Sequence, residues 1–281
     1  MHRPARLTVK APIYILGQGR SGTTVLGVTL SLHRQIGFLN EPKALWHNAY
    51  PNEDLIGSYT DKPACYILTA ADATPTVAMN LQRLYSGYLR LTRSTRILDK
   101  YPELLYRVPF VKHVFPDARF LLLVRNGMEV CRSVGNWSQA HGHSTTNHSV
   151  DWWGRDDRKW QCLINELVSQ EPDLRDEREA LRELRSQHDR AALEWVLTMR
   201  AVERVSQQYP EQALVVRYER LVERPVEILE EIFRFCYLED DERVFQYATA
   251  TLRKRSKDGS VDLHELVREP FETMMQKFEY A

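Results

Sequence analysis

The chain has 281 residues, 43% hydrophobic and 27% charged, with 38 basic and 38 acidic side chains that cancel to zero formal net charge. That length carries one α/β domain or two small ones, and the composition is that of a soluble globular protein. With no net charge there is no overall attraction to nucleic acid or an anionic membrane, so any anion site must come from local arrangement. Cys65, Cys131, Cys162 and Cys236 are far apart and form no C-x-x-C pair, which argues for free thiols in a reducing compartment rather than a disulfide scaffold or zinc site. The basic N-terminal segment leads into an apolar run too short for a membrane span and unlike a signal peptide.

Ile13-Tyr14-Ile15-Leu16 predicts a buried strand. Gly17-Gln18-Gly19-Arg20-Ser21-Gly22 follows as a turn, and Thr23-Thr24-Val25-Leu26 starts a helix. This layout cradles phosphate, because glycine lets backbone N–H groups approach an anion and a helix N-terminus favours negative charge. Gly17-x-x-x-x-Gly22 fits the first part of the P-loop pattern, but Thr23 stands where that pattern has lysine, and the positive charge sits at Arg20. An ordinary glycine turn could have the same spacing.

Ile36 to Leu39 predicts a second strand, ended by Glu41-Pro42. Glu41 then lies at a strand end, where α/β proteins read ligands; a solvated loop carboxylate is the alternative. Residues 43–75 read as short helices and loops, Thr76 to Leu91 as a helix, and Thr95 to Lys100 as a strand ending on charge. Glu103 to Phe115 is helical in period, and Pro116-Asp117 breaks it.

Phe120 to Val124 is five consecutive apolar residues, the signature of a central parallel strand, with Arg125 at its carboxyl end. A helix from Glu129 to Trp137 carries Ser133. An arginine fork with a hydroxyl suits a phosphate monoester; a strand-end arginine paired to a carboxylate is the alternative. His141, His143 and His148 lack a carboxylate or cysteine that completes a ligand set, so no metal is expected. Trp152, Trp153 and Trp160 either line an acceptor pocket or pack a helix onto the core.

Glu171 to Arg190 reads as a solvated helix laced with ion pairs, Ala191 to Gln208 as a more apolar helix, and Ala213 to Glu219 as another buried strand. Pro225 to Phe235 is an amphipathic helix with proline at its start. Leu252 to Ser260 is a basic, glycine-containing loop. No repeat, low-complexity tract or linker divides the chain, so one domain over residues 1–281 is expected.

GQGRSGTT resembles the 5′-phosphosulfate loop of sulfotransferases that use 3′-phosphoadenosine 5′-phosphosulfate (PAPS), in the form G-x-x-R-S-G-T-[TS], a P-loop-like branch that includes tyrosyl-protein and bacterial enzymes. Asp99-Lys100-Tyr101-Pro102, the Arg125/Ser133 pair and RYERLVERPVEILEEIFRF are similar to later elements of the family, in the same order. Residues 43–94 and 138–190 carry almost no family signal.

The resemblance implies an α/β fold with a central, mostly parallel sheet flanked by helices, and PAPS as co-substrate with product PAP. It implies that Gly19, Arg20, Ser21, Gly22, Thr23 and Thr24 hold the 5′-phosphosulfate. Arg125 and Ser133 would take the 3′-phosphate, Lys100 the bridging oxygen, Glu41 the acceptor's proton, and Tyr218 a place near the adenine. The late basic loop would close over the nucleotide. The acceptor would be a small molecule, a carbohydrate or a tyrosine-containing peptide, with no nucleic-acid or membrane partner. Golgi members usually carry an N-terminal anchor that this sequence lacks, so a cytoplasmic, bacterial protein, or a chain trimmed of its anchor, is expected.

Two rivals remain. A kinase-like P-loop NTPase needs lysine at Thr23 and an acidic Mg²⁺ ligand where Arg125 stands. A nucleotide-binding module without catalysis has no use for Glu41 and Lys100.

Overall fold

The apolar run at Ile13 forms the middle strand of a five-stranded parallel sheet in the computed structural model, which describes residues 9–146, 148–253 and 261–280. The strands are β1 (Ile13–Gly17), β2 (Ile36–Asn40), β3 (Arg96–Lys100) and β4 (Arg119–Val124). Three short strands, β5 (His143–Ser144), β6 (Ser149–Asp151) and β7 (Gly154–Arg155), make a separate antiparallel sheet before β8 (Ala213–Arg217) rejoins the main one. The order is β2-β3-β1-β4-β8. After β1 the chain crosses toward one edge, and after β4 toward the other. That reversal opens a crevice at the carboxyl ends of β1 and β4, the usual ligand position in such sheets.

Alternate residues of each strand face opposite layers, as the pleat requires. Ile13, Ile15, Leu121 and Leu123 face Leu26 and Leu30 of α1 (Thr23–Ser31) and Ile228, Ile232 and Phe233 of the helix Pro225–Cys236. Tyr14, Leu16, Phe120 and Leu122 face the other layer. After α2 (Lys43–Ala49), that layer is built by α3 (Pro75–Thr92), α4 (Val108–Val114), α5 (Gly127–His141) and the long helix Gln187–Gln208. The chain is a single α/β domain with a central parallel sheet between helices. No helix among the described residues is long and apolar enough to cross a membrane.

Residues 43–75 are irregular, as expected, and carboxylates hold them, two of them buried. Glu53 Oε2 accepts from Tyr101 OH at 2.6 Å and Arg107 Nη1 at 3.2 Å. Glu166 accepts from the amides of Tyr66 and Ile67. Asp54 accepts from four successive amides, Gly57 to Thr60, at 2.7–3.1 Å. Burial pushes the Asp54 carboxyl up, but those amides together hold it below its ordinary value.

A depressed folded pKa contributes stability above the unfolded value that is lost as pH falls through the folded one. Asp54→Asn is therefore expected to lose about 1.5–3 kcal/mol at neutral pH. Thermal melts from pH 7 to pH 3 should show the parent approaching the variant in acid; a constant gap would remove Asp54 from the account.

Three expectations change. Glu171 to Arg190 is not one helix. It is broken into a 3₁₀ turn (Arg175–Glu177), a short helix (Arg178–Arg182) and a new start capped by Ser186. Its charges do not all face water: Arg190 is buried, bonded to Asp157 at 2.6 and 3.0 Å and stacked over Trp160. β8 is an outer strand with Val215 38% exposed, because it pairs with β4 alone, and residues 218–223 are already helical. Glu103 to Phe115 divides into a 3₁₀ stretch, Pro102–Arg107, and α4. Of the basic loop, residues 254–260 lie outside the described residues.

Candidate active site

The glycine turn after β1 is shaped by what presses on it. Gly22 has φ +94°, and a Cβ there would lie 2.4 Å from the Tyr218 ring. A Cβ on Gly19 would lie 2.5 Å from the Trp152 ring. Both positions therefore exclude side chains, one by backbone conformation and contact, the other by contact. The N-cap of α1 is Gly22, which has no side chain to cap the first turn, so among the described residues those amides are left to an anion. Ser21 Oγ is buried without a hydrogen-bond partner among the described residues.

Arg20 and Arg125 meet here, from the carboxyl ends of β1 and β4. Arg20 Nε donates to Ser133 Oγ at 3.0 Å, and Arg125 Nη1 donates to the Arg20 carbonyl at 3.1 Å. The Arg125 guanidinium lies 4.4 Å over the Tyr218 ring, and its Nε and Nη2 donate to Glu129 Oε2 at 3.0 and 2.6 Å. Burial and the neighbouring Arg125 charge pull Arg20 below its ordinary value, with Glu41 opposing. These groups border a cleft of about 580 Å³ that also takes in Thr23, Thr24, Arg132 and Leu252. Adjacent cations beside free helix amides suit a polyanion.

Glu41 directly follows β2, and Lys100 ends the neighbouring strand β3. Lys100, 1% exposed, donates to Glu41 Oε1 at 2.5 Å, and the Glu41 amide donates to the Lys100 carbonyl at 2.7 Å. Lys43 Nζ lies 3.6 Å from Glu41 Oε2. Glu41 sits at φ +47°, in the turn between β2 and α2. Beside them Asp99 is fully buried and accepts from Tyr85 OH at 2.5 Å and Trp46 Nε1 at 2.9 Å, tying α2 and α3 to β3. Burial pushes its carboxyl up to about 7, against those two hydrogen bonds.

A buried polar network closes the other side. Glu194, in the long helix, accepts from Lys159 Nζ at 2.6 Å, Trp152 Nε1 at 2.9 Å and Gln18 Nε2 at 3.0 Å. Lys159 also lies 4.7 Å from the Trp152 ring.

Every residue expected from the sequence thus lies at the carboxyl edge of the sheet or on the elements that follow its strands. Ser133 bonds Arg20 instead of Arg125, and Arg125 takes the carboxylate partner that was its alternative. Gln18, Lys159 and Glu194 were not anticipated; an acid inside the apolar stretch Ala191 to Leu197 was the available signal. The three tryptophans separate: Trp153 and Trp160 are buried in the core, and Trp152 alone of them packs on the loop. His148 pairs with Asp156 at 2.7 Å, and no cluster able to hold a metal ion occurs among the described residues.

Comparison with known proteins bears on the family and the fold. The model of the sulfotransferase family matches residues 12–242. An uncharacterized protein of Aquifex aeolicus is 24% identical over 258 residues, 85% of this chain but only 27% of that protein's length. Among solved structures, a sulfotransferase domain from the curacin biosynthetic pathway superposes with a TM-score of 0.53 at 13% identity, covering 98% of this chain and 99% of the other. The sulfotransferase domain of the Synechococcus PCC 7002 olefin synthase gives 0.53 at 15% identity, over 100% and 98% of the two chains. A sulfotransferase from Alicyclobacillus acidocaldarius gives 0.50 at 16%, over 96% and 95%. At such identities these structures speak for the fold; the family match extends over most of the sequence. The chain belongs to the sulfotransferase family.

Proposed function

We propose that the chain transfers a sulfuryl group from PAPS to an acceptor hydroxyl or amine. One observation carries the reading. Arg20, Arg125 and Ser133 share one cleft at the switch point of the sheet, and the Glu41–Lys100 pair stands on the adjacent strand ends. The amides of Gly19 to Thr24 and the Arg20 guanidinium would hold the 5′-phosphosulfate. Arg125 and Ser133 would anchor the 3′-phosphate, beside Tyr218 on the adenosine side. The acceptor oxygen or nitrogen attacks sulfur in line as the bond from sulfur to the bridging oxygen breaks. Its proton passes to Glu41, and Lys100 stabilises charge on the departing PAP oxygen. A small molecule, a carbohydrate and a tyrosine-containing peptide all fit as acceptors, with the protein working in the cytoplasm.

Calorimetry with PAP and ATP tests the donor. PAP should bind and ATP should bind far more weakly; equal affinity would sink the reading. Arg125→Ala should weaken PAP by about 1.5–3 kcal/mol, the scale of a charge-assisted hydrogen bond. The same substitution should cost much less for adenosine 5′-phosphosulfate, which lacks the 3′-phosphate.

A further inference from the structure

Glu194 is 4% exposed in a stretch of helix whose neighbours Leu193, Trp195, Val196 and Leu197 are buried apolar residues. An apolar side chain would pack such a position without the desolvation that a carboxylate suffers there. What the carboxylate adds is connection. Its Oε2 takes one hydrogen bond from Gln18, inside the glycine turn, and one from the indole of Trp152, whose ring lies on Gly19 of the same turn. Its Oε1 takes Lys159, whose charge in turn sits over the Trp152 ring. One buried acid therefore grips the turn from within and also fixes the wall that presses on it.

We infer that Glu194 is a positioning residue for the transfer site: it locks Gln18 and Trp152 together so that the loop amides and Arg20 meet an anion in one arrangement. The inference rests on the proposed function for the anion's identity, not for the geometry. Replacing Glu194 itself takes the nearer carboxylate from buried Lys159, leaving it Glu103 at 3.8 Å, and risks the fold, so the test leaves Glu194 in place. Gln18→Leu removes one donor, and Trp152→Phe keeps an aromatic wall without its N–H. Calorimetry with PAP and with inorganic pyrophosphate is run on the parent, both single variants and the double variant, alongside thermal melts.

Each single variant should weaken both ligands about tenfold, and the double variant should remain near tenfold, because both losses act through the same carboxylate. Losses that multiply to about a hundredfold would mean independent effects and overturn the inference. So would affinities within about twofold of the parent, whatever the melting temperature does, since Glu194 would then be a stability element only. A parent that binds pyrophosphate but not PAP would sink the donor reading alone, with the cycle still read on pyrophosphate. A parent that binds neither would end both.

Discussion

Glu41→Gln is expected to lower kcat by about 10²–10⁴ while leaving PAP affinity close to that of the parent. The substitution keeps the shape and the oxygen that accepts from Lys100, and removes the proton acceptor. Because Lys100 and Lys43 both lie against the Glu41 carboxylate, part of any loss could come from releasing those cations. Varying the acceptor separates the two causes. A phenol of low pKa gives up its proton easily, so a missing base should matter less as acceptor pKa falls. A defect that stays constant across a series of phenols would mean that Glu41 orders the two lysines and does not take the proton. Near-parent turnover would move the base to a histidine. His47, one α2 turn beyond Lys43 and stacked on Tyr59, would be examined first, then His141.

The parts of this fold that were legible are those whose cause is local. β1 and β4 announce themselves as apolar runs because central parallel strands are buried on both faces, and the turn after β1 does so because its glycines admit backbone shapes and contacts that side chains refuse. The strand-end position of Arg125 followed from where the β4 run stops, and those of Glu41 and Lys100 from where the shorter runs of β2 and β3 stop. What was not legible depends on partners far away in sequence. Glu171 looked like part of a solvated helix, yet it is 5% exposed and bonded to Arg200 and Arg204 on the long helix. Nothing in Trp152, Trp153 and Trp160 distinguishes the one that touches Gly19, because the choice is made by Glu194, 42 residues beyond Trp152. β8 has the apolar composition of an inner strand; only the order of the sheet makes it an edge.

The largest expected loss of stability lies at Glu53, within the 43–75 segment, and its partner Arg107, both fully buried. Arg107 also donates to the carbonyls of Glu53, Cys65 and Tyr66, so it pins two stretches of irregular chain to the start of α4. Glu53→Ala leaves a guanidinium without its counter-charge, and arginine cannot shed its proton. The cost should be about 3–5 kcal/mol, a fall in Tm on the order of 10 °C, and it should not shrink as pH falls.

Arg107→Met leaves the complementary defect, but Glu53 can respond. Burial already pushes the Glu53 carboxyl above its ordinary value, with Arg107 pulling it back. Without Arg107 it should rise further and bind a proton. A folded-state pKa above the unfolded one gives stability that is full below the unfolded value and is lost as pH rises through the folded one. Arg107→Met should therefore recover stability as pH falls from 8 toward 4.5, relative to the parent, whereas Glu53→Ala should not. Parallel pH profiles for the two variants, or a loss under about 1 kcal/mol in Glu53→Ala, would show that the pair is not what holds this segment down.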